Sequence, residues 1–246
     1  MTKQNSSSLD ILGVKPVADA VSHVSKATVD GASSFLSRIC LPAAEEFGLL
    51  LQDKVRAWRA ANAIRVVTEA QALLQKFEPM PDGHAHPRLV ASVIEEGSWA
   101  DDNTLQEMWG GLLASSCSQD GHDDSNLIFI GLLKQLTRVQ VRLLRFAVEQ
   151  AKMGIDSNGL ITVIEPLMTD VSTVLRVAEV DDIHRVDQEL DHLRGSELIA
   201  EGFATGRSEA NLMPTALAIN LYVRCQGYRG NAADYFGIAK SEGVNP

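Results

Sequence analysis

Residues 95–117 constrain this chain more than any other stretch. An acidic turn, Ala100-Asp101-Asp102-Asn103, passes without a spacer into an apolar run at helical spacing. Leu105, Met108, Trp109, Leu112, Leu113 and Ser116 follow the i, i+3, i+4 rule of a single buried helix face. Asp102 or Asn103 can cap that helix, because a short side-chain oxygen accepts a free N–H of the first turn. With Asn103 as cap, Gln106 stands where a capping box places its partner. The pattern predicts a central helix over 103–118. Two tryptophans, Trp99 and Trp109, lie in so short a stretch that it reads as a structural hinge point, not a chemical site.

A second constraint lies upstream. From Pro42 to Phe77 only Gly48 interrupts the helical pattern, and Pro79-Met80-Pro81-Asp82-Gly83 stops it. Pro42 suits a first helical turn, and Glu45 and Glu46 complement the positive end of the helix dipole. About 36 residues at 1.5 Å each give a helix ~54 Å long, which needs partners on more than one side. Phe47, Leu51, Val55 and Trp58 form one stripe; Leu50, Ala57, Ala61, Ile64 and Gln71 to Leu74 form another. Lys54, Arg56, Arg59 and Arg65 scatter round the axis and read as a solvated surface.

Before it, residues 1–13 read as a disordered tail. Residues 14–39 read as a two-faced helix, or a broken pair if Gly31-Ala32-Ser33-Ser34 interrupts it. Val17, Val21, Val24 and Thr28 oppose Lys15, Asp19, His23, Lys26 and Asp30. The mixed signs and small apolar residues favour packing on the body over insertion in a membrane. After the long helix come a linker at His84-Ala85-His86-Pro87, a short helix over 88–96, the central helix, an acidic loop at 119–124, and a helix capped by Ser125 over 126–136.

A second unit, 137–226, opens at the N-cap Thr137, with Val141, Leu144, Ala147 and Val148 on its apolar face. Gly154 to Gly159 is turn-like, and Leu160 to Ile164 reads as a strand or extended link. Helices are expected over 167–177 and 181–194, the latter burying Ile183, Val186, Leu190 and Leu193 and ending at Gly195. A hairpin of 198–200 with 211–213 and a helix from Pro214 or Thr215 to Cys225 complete the order of a winged helix-turn-helix. Residues 227–246 read as a fraying tail. The fold expected is mainly α: a helical domain over 14–136 built round the long helix, then a winged-helix-like unit with one small β-hairpin.

Charge bears on partners. The net charge is −10, unevenly spread. Residues 1–80 are nearly neutral, with 9 basic and 8 acidic groups, whereas residues 81–136 carry 2 and 9. An acidic chain repels phosphate backbones, so nucleic acid is a disfavoured partner. The helix in the recognition position sharpens this, with Asp181, Asp182, Asp187, Glu189 and Asp191 against Arg185 and Arg194. Cys40, Cys117 and Cys225 stand far apart in apolar contexts and read as buried free thiols of a reducing cytosol. The polar N-terminus lacks a signal-peptide core, and no run reaches the ~20 apolar residues of a membrane span. A cytoplasmic protein is expected, with peripheral association at the inner membrane left open.

The known catalytic signatures are missing: no phosphate loop, GxGxxG, GxSxG, HExxH or Cys/His metal spacing occurs. His84, His86 and the distant His122-Asp123-Asp124 do not make a convincing ligand set. Neighbouring carboxylates such as Glu95-Glu96 and Asp101-Asp102 point different ways on a helix. The expectation is a protein without catalytic, cofactor or metal residues, in which Trp58, Leu105, Trp109, Leu112 and Leu113 carry structure or interaction.

Taken together, the chain resembles the bacterial abortive-infection alpha family. The resemblance rests on Pro42 with Glu46 and Gly48, Asp53-Lys54-Val55-Arg56, Trp58-Arg59 and Asn62. It continues through Ile94-Glu95-Glu96-Gly97-Ser98, Leu105-Gln106-Glu107-Met108-Trp109, Leu112-Leu113-Ala114, Leu133, Leu136-Thr137 and Leu143-Leu144. It covers about 42–150 well and the remainder loosely. It implies a mostly helical fold and a role in defence against phage, with no catalytic residues carried over. The function expected is a non-enzymatic antiphage protein that meets a protein partner, such as a phage product, with homo-oligomerisation left open. The alternatives are a membrane effector using the helix near 14–39 and a DNA-binding regulator using the C-terminal unit.

Overall fold

The computed structural model of the chain describes residues 26–40, 54–77, 83–119, 121–204, 206 and 208–238. The expected tail at 1–13, the start of the first helix and the long helix's first turns at Pro42 lie outside them.

The first described helix, α1 (Lys26–Ile39), buries Ala32, Phe35, Leu36 and Ile39, a stripe at 3.6-residue spacing. Of the two readings left open, an unbroken helix or a break at Gly31 to Ser34, the described part is unbroken. Gly31 faces open space, and the Ser37 hydroxyl donates to Ser33 O within the helix at 2.9 Å. Helix α2 (Lys54–Phe77) packs against α1 and two later helices. It is buried nearly all round through Ala60, Ala61, Ala63, Ile64, Val66, Val67 and Ala70. Small side chains let neighbours approach from several sides, which meets the expectation that this helix needs more than one partner.

At the linker's His84-Ala85 the chain is paired: β1 (His84–Ala85) lies against β2 (Cys117–Ser118). Pro87 opens α3 (Pro87–Gly97), capped by His86 Nδ1, which accepts from Arg88 N at 3.2 Å. The central helix is α4 (Asn103–Ser115), three residues shorter than expected because Cys117 and Ser118 turn into β2. Asp102 caps it, with one carboxylate oxygen accepting from Thr104 N and Leu105 N at 3.0 and 3.2 Å. Asn103 is already inside the helix, so the capping box with Gln106 is not formed.

Helix α4 lies between α2 and a later helix, and two glycines set how close they come. A Cβ on Gly110 would stand 2.6 Å from Glu69 Cβ on α2, and one on Gly111 would stand 1.6 Å from Cys225 O. Helix α5 (Leu127–Leu133) is shorter than the expected 126–136. Ser125 does not cap it: Asn126 takes that place, and its amide donates inward to Ser115 Oγ and Ser116 Oγ at 3.0 and 2.9 Å.

Helix α6 (Arg138–Gln150) begins at Thr137 with a full capping box closed by Gln140. Where one hairpin is expected, the strands are more numerous. The chain doubles back from β3 (Met153–Ile155) to β4 (Ile161–Val163). The segment expected to start a helix at Leu167 is instead β5 (Met168–Asp170), and α7 (Val171–Ala178) starts four residues later. Helix α8 (Ile183–Gly195) is capped by Asp182 and buries Val186, Leu190 and Leu193, while Ile183 faces solvent. Strands β6 (Gly202–Phe203) and β7 (Glu209–Asn211) form the later hairpin, and the sheet order is β5-β7-β6. Residues 198–200 and 211–213 approach as expected, through the Ile199–Pro214 bridge and Ala200 N donating to Met213 O, but the ladder sits nearer the turn.

Thr215 caps α9 (Ala216–Cys225), which lies against α4 at Gly111. The chain from Gly227, expected to fray, is packed as far as Ile238. It holds α10 (Ala232–Tyr235), and Tyr222, Tyr228, Tyr235 and Phe236 form a cluster with ring centroids 5.0–6.4 Å apart. Aromatic edges and faces attract at these separations without any periodic pattern. Among the described residues no helix is long and apolar enough to cross a membrane.

Candidate functional site

The turn between α3 and α4 gathers side chains from three helices. Arg59, on α2, reaches it with its guanidinium. Its Nη2 donates to Glu95 Oε2 at 2.6 Å, and its Nε donates to Ser98 Oγ at 3.0 Å. The same group lies over the Trp99 ring, 4.3 Å from its centroid. Arg59 is therefore not part of a solvated surface, as the scatter of basic residues on α2 suggested, although Arg56 and Arg65 are exposed. One turn along α2, Asn62 Nδ2 donates to Ser98 O at 3.0 Å. Gln106, on α4, donates to Asn62 Oδ1 and Ala100 O at 3.2 and 2.8 Å. Asn62, Ser98 and Gln106 are buried, and these bonds meet the demand that burial makes on polar groups.

The network fixes the turn, and the turn presents Trp99. The residue is 52 % exposed, and its ring lies 6.1 Å from that of Trp58 at a tilt of 58°. A large aromatic group left in water while held by a cation and a second ring is unusual for a packing residue. Nothing in this arrangement pairs a nucleophile with a base. It can do one thing well, which is to offer a rigid aromatic surface.

Two further polar clusters tie elements together. Arg142, on α6, places Nη2 3.2 Å from Asp102 Oδ2 and Nη1 2.6 Å from Glu179 Oε2. It thus joins the cap of α4 to the end of α7. A cleft of about 70 Å³ lies among Glu69, Glu107, Arg145, Tyr222 and Gln226. That volume is far below the roughly 300 Å³ at which small-molecule sites begin. Beside it Arg145 Nε donates to Glu149 Oε1 at 2.9 Å, and the Tyr222 hydroxyl donates to the same oxygen at 3.1 Å. Burial, reinforced by Glu149, pushes the Tyr222 phenol well above its usual range and keeps it a proton donor.

The thiols are buried. Burial pushes Cys117 up to about 11 against the weaker pull of Arg229, and raises Cys225 as well. Thiolate, the reactive form, is thus scarce at neutral pH for both. Among the described residues no group of three or more His, Cys, Asp or Glu side chains is placed to hold a metal ion. His86 is occupied as a cap and His84 belongs to β1.

Of the residues singled out by sequence, Trp109, Leu112 and Leu113 are buried on α4, and Leu105 packs against the same core half-buried. Trp58 stands apart from these four, beside Trp99. The sequence places Trp99 with Trp109 in one structural stretch, whereas the fold turns it to the surface. A signal for this is present: Trp99 falls outside the i, i+3, i+4 face that Leu105 to Ser116 define.

No curated protein and no solved structure matches the chain. The family model Abortive infection alpha matches residues 61–212, more than half of the chain. The match begins inside α2, past Trp58 and Arg59. It runs past the end of α6 at Gln150 and on through β5, α7, α8 and both later strands. It includes Asn62, Glu95, Ser98 and Gln106, the residues that hold the Trp99 turn. On that match, this chain belongs to the abortive infection alpha family.

Proposed function

We propose that the protein acts in antiphage defence of the abortive-infection type, without catalysis, through contacts with another protein. Family membership supports the defence role. The half-exposed Trp99, held against Arg59 and Trp58, is the observation that carries the protein-contact reading. Tryptophan and arginine are among the residues most often found at the energetic centres of protein interfaces.

The C-terminal unit is read as winged-helix-like. Its order of α6, β5, α7, α8, β6 and β7, interrupted after α6 by the β3–β4 hairpin and with β7 between β5 and β6, supports that reading. Helix α8 would stand in the recognition position. Its exposed surface carries Asp191 beside His184, Arg185 and Arg194, with Asp181 and Asp182 at its start. Acids there would meet phosphates at close range, so a protein contact or a structural role fits this unit better than DNA. The membrane reading drew on residues 14–39. Of these, Lys26–Ile39 is described, and its apolar stripe is spent on packing against the body.

The test is phage challenge of cells with and without the gene, scored for plaque number and for survival of infected cells. Fewer plaques together with death of the infected cells are expected. Equal plaquing with and without the gene would remove the defence reading.

A further inference from the structure

We infer that the Trp58–Trp99 face is a docking surface for a basic protein segment, one that lays a lysine or arginine side chain against the exposed indole. The inference rests on the protein-contact reading above and names the chemistry of the partner. Three observations lead to it.

The first is that the surface is built in advance. Trp99 is anchored by the Arg59 guanidinium at 4.3 Å and by Trp58 at 6.1 Å, on a turn pinned through Ser98, Asn62 and Gln106. A partner therefore meets an aromatic group whose ordering has already taken place, which lowers the entropic loss on binding. The second is exposure: more than half of Trp99 is in water although Arg59 covers part of the ring.

The third is charge. Glu95 is 61 % exposed at its side chain, and Asp101 is exposed two residues beyond Trp99. Arg59, the cation that reaches the indole, is largely covered and already paired with Glu95. Nearby Glu96, Asp102 and Glu107 are each paired with a cation, Lys134, Arg142 and Arg145, so the acids this face offers are Asp101 and the exposed side of Glu95. A cation meeting this face gains from the ring quadrupole and from the carboxylates together, whereas an anionic partner is repelled. Arg59 itself demonstrates the recognition: a guanidinium lies on this ring with a carboxylate at its edge.

The experiment uses the full chain labelled with 5-fluorotryptophan and an oligo-arginine peptide as probe. Fluorine resonances of Trp58, Trp99 and Trp109 are assigned by single Trp→Phe variants. Saturable shifts at Trp99 and Trp58, with Trp109 unmoved, are expected. Raising salt from about 20 mM to about 300 mM should weaken binding several-fold. Asp101→Asn should weaken it by about two- to fivefold, the range of an exposed charge pair. An oligo-glutamate peptide should leave all three resonances in place. Peptide binding seen by anisotropy with Trp99 unmoved, or equal affinity in Trp99→Ala, would overturn the inference, as would a shift caused equally by oligo-glutamate. These outcomes are independent of plaque counts, so loss of the defence role and loss of the docking surface are separately readable.

Discussion

At the scale of single residues, the fold depends on a few positions where size decides. Trp109 is 2 % exposed and sits in the main core. Trp109→Ala should cost about 3–5 kcal/mol through lost burial and the cavity left behind, read as a lower urea midpoint. Glycines separate by what surrounds them. At Gly111 an added methyl would collide with the backbone oxygen of Cys225, so Gly111→Ala should reach or exceed the upper end of the about 1–3 kcal/mol typical of overpacking. Gly131, in α5, has nothing within 4 Å, and Gly131→Ala should stabilise by about 0.5–1 kcal/mol through helix propensity. Similar midpoints for the two variants would contradict a close α4–α9 crossing at Gly111. Asp170 gives a pH signature. Hydrogen bonds from the Ser172 hydroxyl, Thr173 N and the Thr173 hydroxyl hold its carboxyl down at about 2, against an ordinary value of 3.8. Its capping of α7 is therefore complete above about pH 4 and is lost as pH falls through about 2. The Thr173 amide resonance should titrate near the lower value; a midpoint near 4 would show that the cap is not formed.

At the scale of elements, the caps at Thr137 and Thr215 were legible, the one expected at Ser125 falls on Asn126, and the partners of polar side chains were not legible. Thr137 starts α6 as its sequence indicates, because a hydroxyl, an extended residue and Gln140 three places on form a local device. The buried stripe of α4 follows the same logic. Gln106 misleads because its spacing from Asn103 imitates a capping box, while its real partners, Asn62 and Ala100 O, come from tertiary packing. Arg59 and Glu95 are 36 residues apart, and nothing in helical spacing announces their bond. Strands of two or three residues, such as β1 and β3, are too short to show alternation. A link between elements that can be tested singly is the Arg142 clamp. Arg142→Ala should cost about 1–2 kcal/mol, between the values for exposed and buried ion pairs. Glu179→Gly removes one of its partners but relieves a left-handed backbone, φ 53°, and should be nearly neutral. Amide exchange at residues 102–105 should therefore rise in the Arg142 variant and stay near the parent level in the Glu179 variant. Equal protection there in all three proteins would show that the clamp does not hold the cap of α4.

For the whole molecule, the mostly helical class and the family were legible because both rest on packing patterns that recur along the chain. The family match runs from residue 61 to residue 212, so it starts later than the strong part of the resemblance at 42–150 and takes in much of the remainder, where the resemblance is loose. The reason lies in the kind of signal: residues after 150 hold short strands and caps, which carry less recognisable periodicity than the paired helices before them. The C-terminal packing of Tyr228, Tyr235 and Phe236 is hidden from sequence for the same reason. If the protein restricts phage through the aromatic face at Trp99, removing that face must remove restriction. Cells expressing Trp58→Ala/Trp99→Ala at parental levels are challenged with a phage that the parent protein restricts, after thermal melting has shown the variant to be folded. Plaquing should return to the level of cells without the gene. Restriction equal to that of the parent, by a variant that melts like it, would contradict the claim.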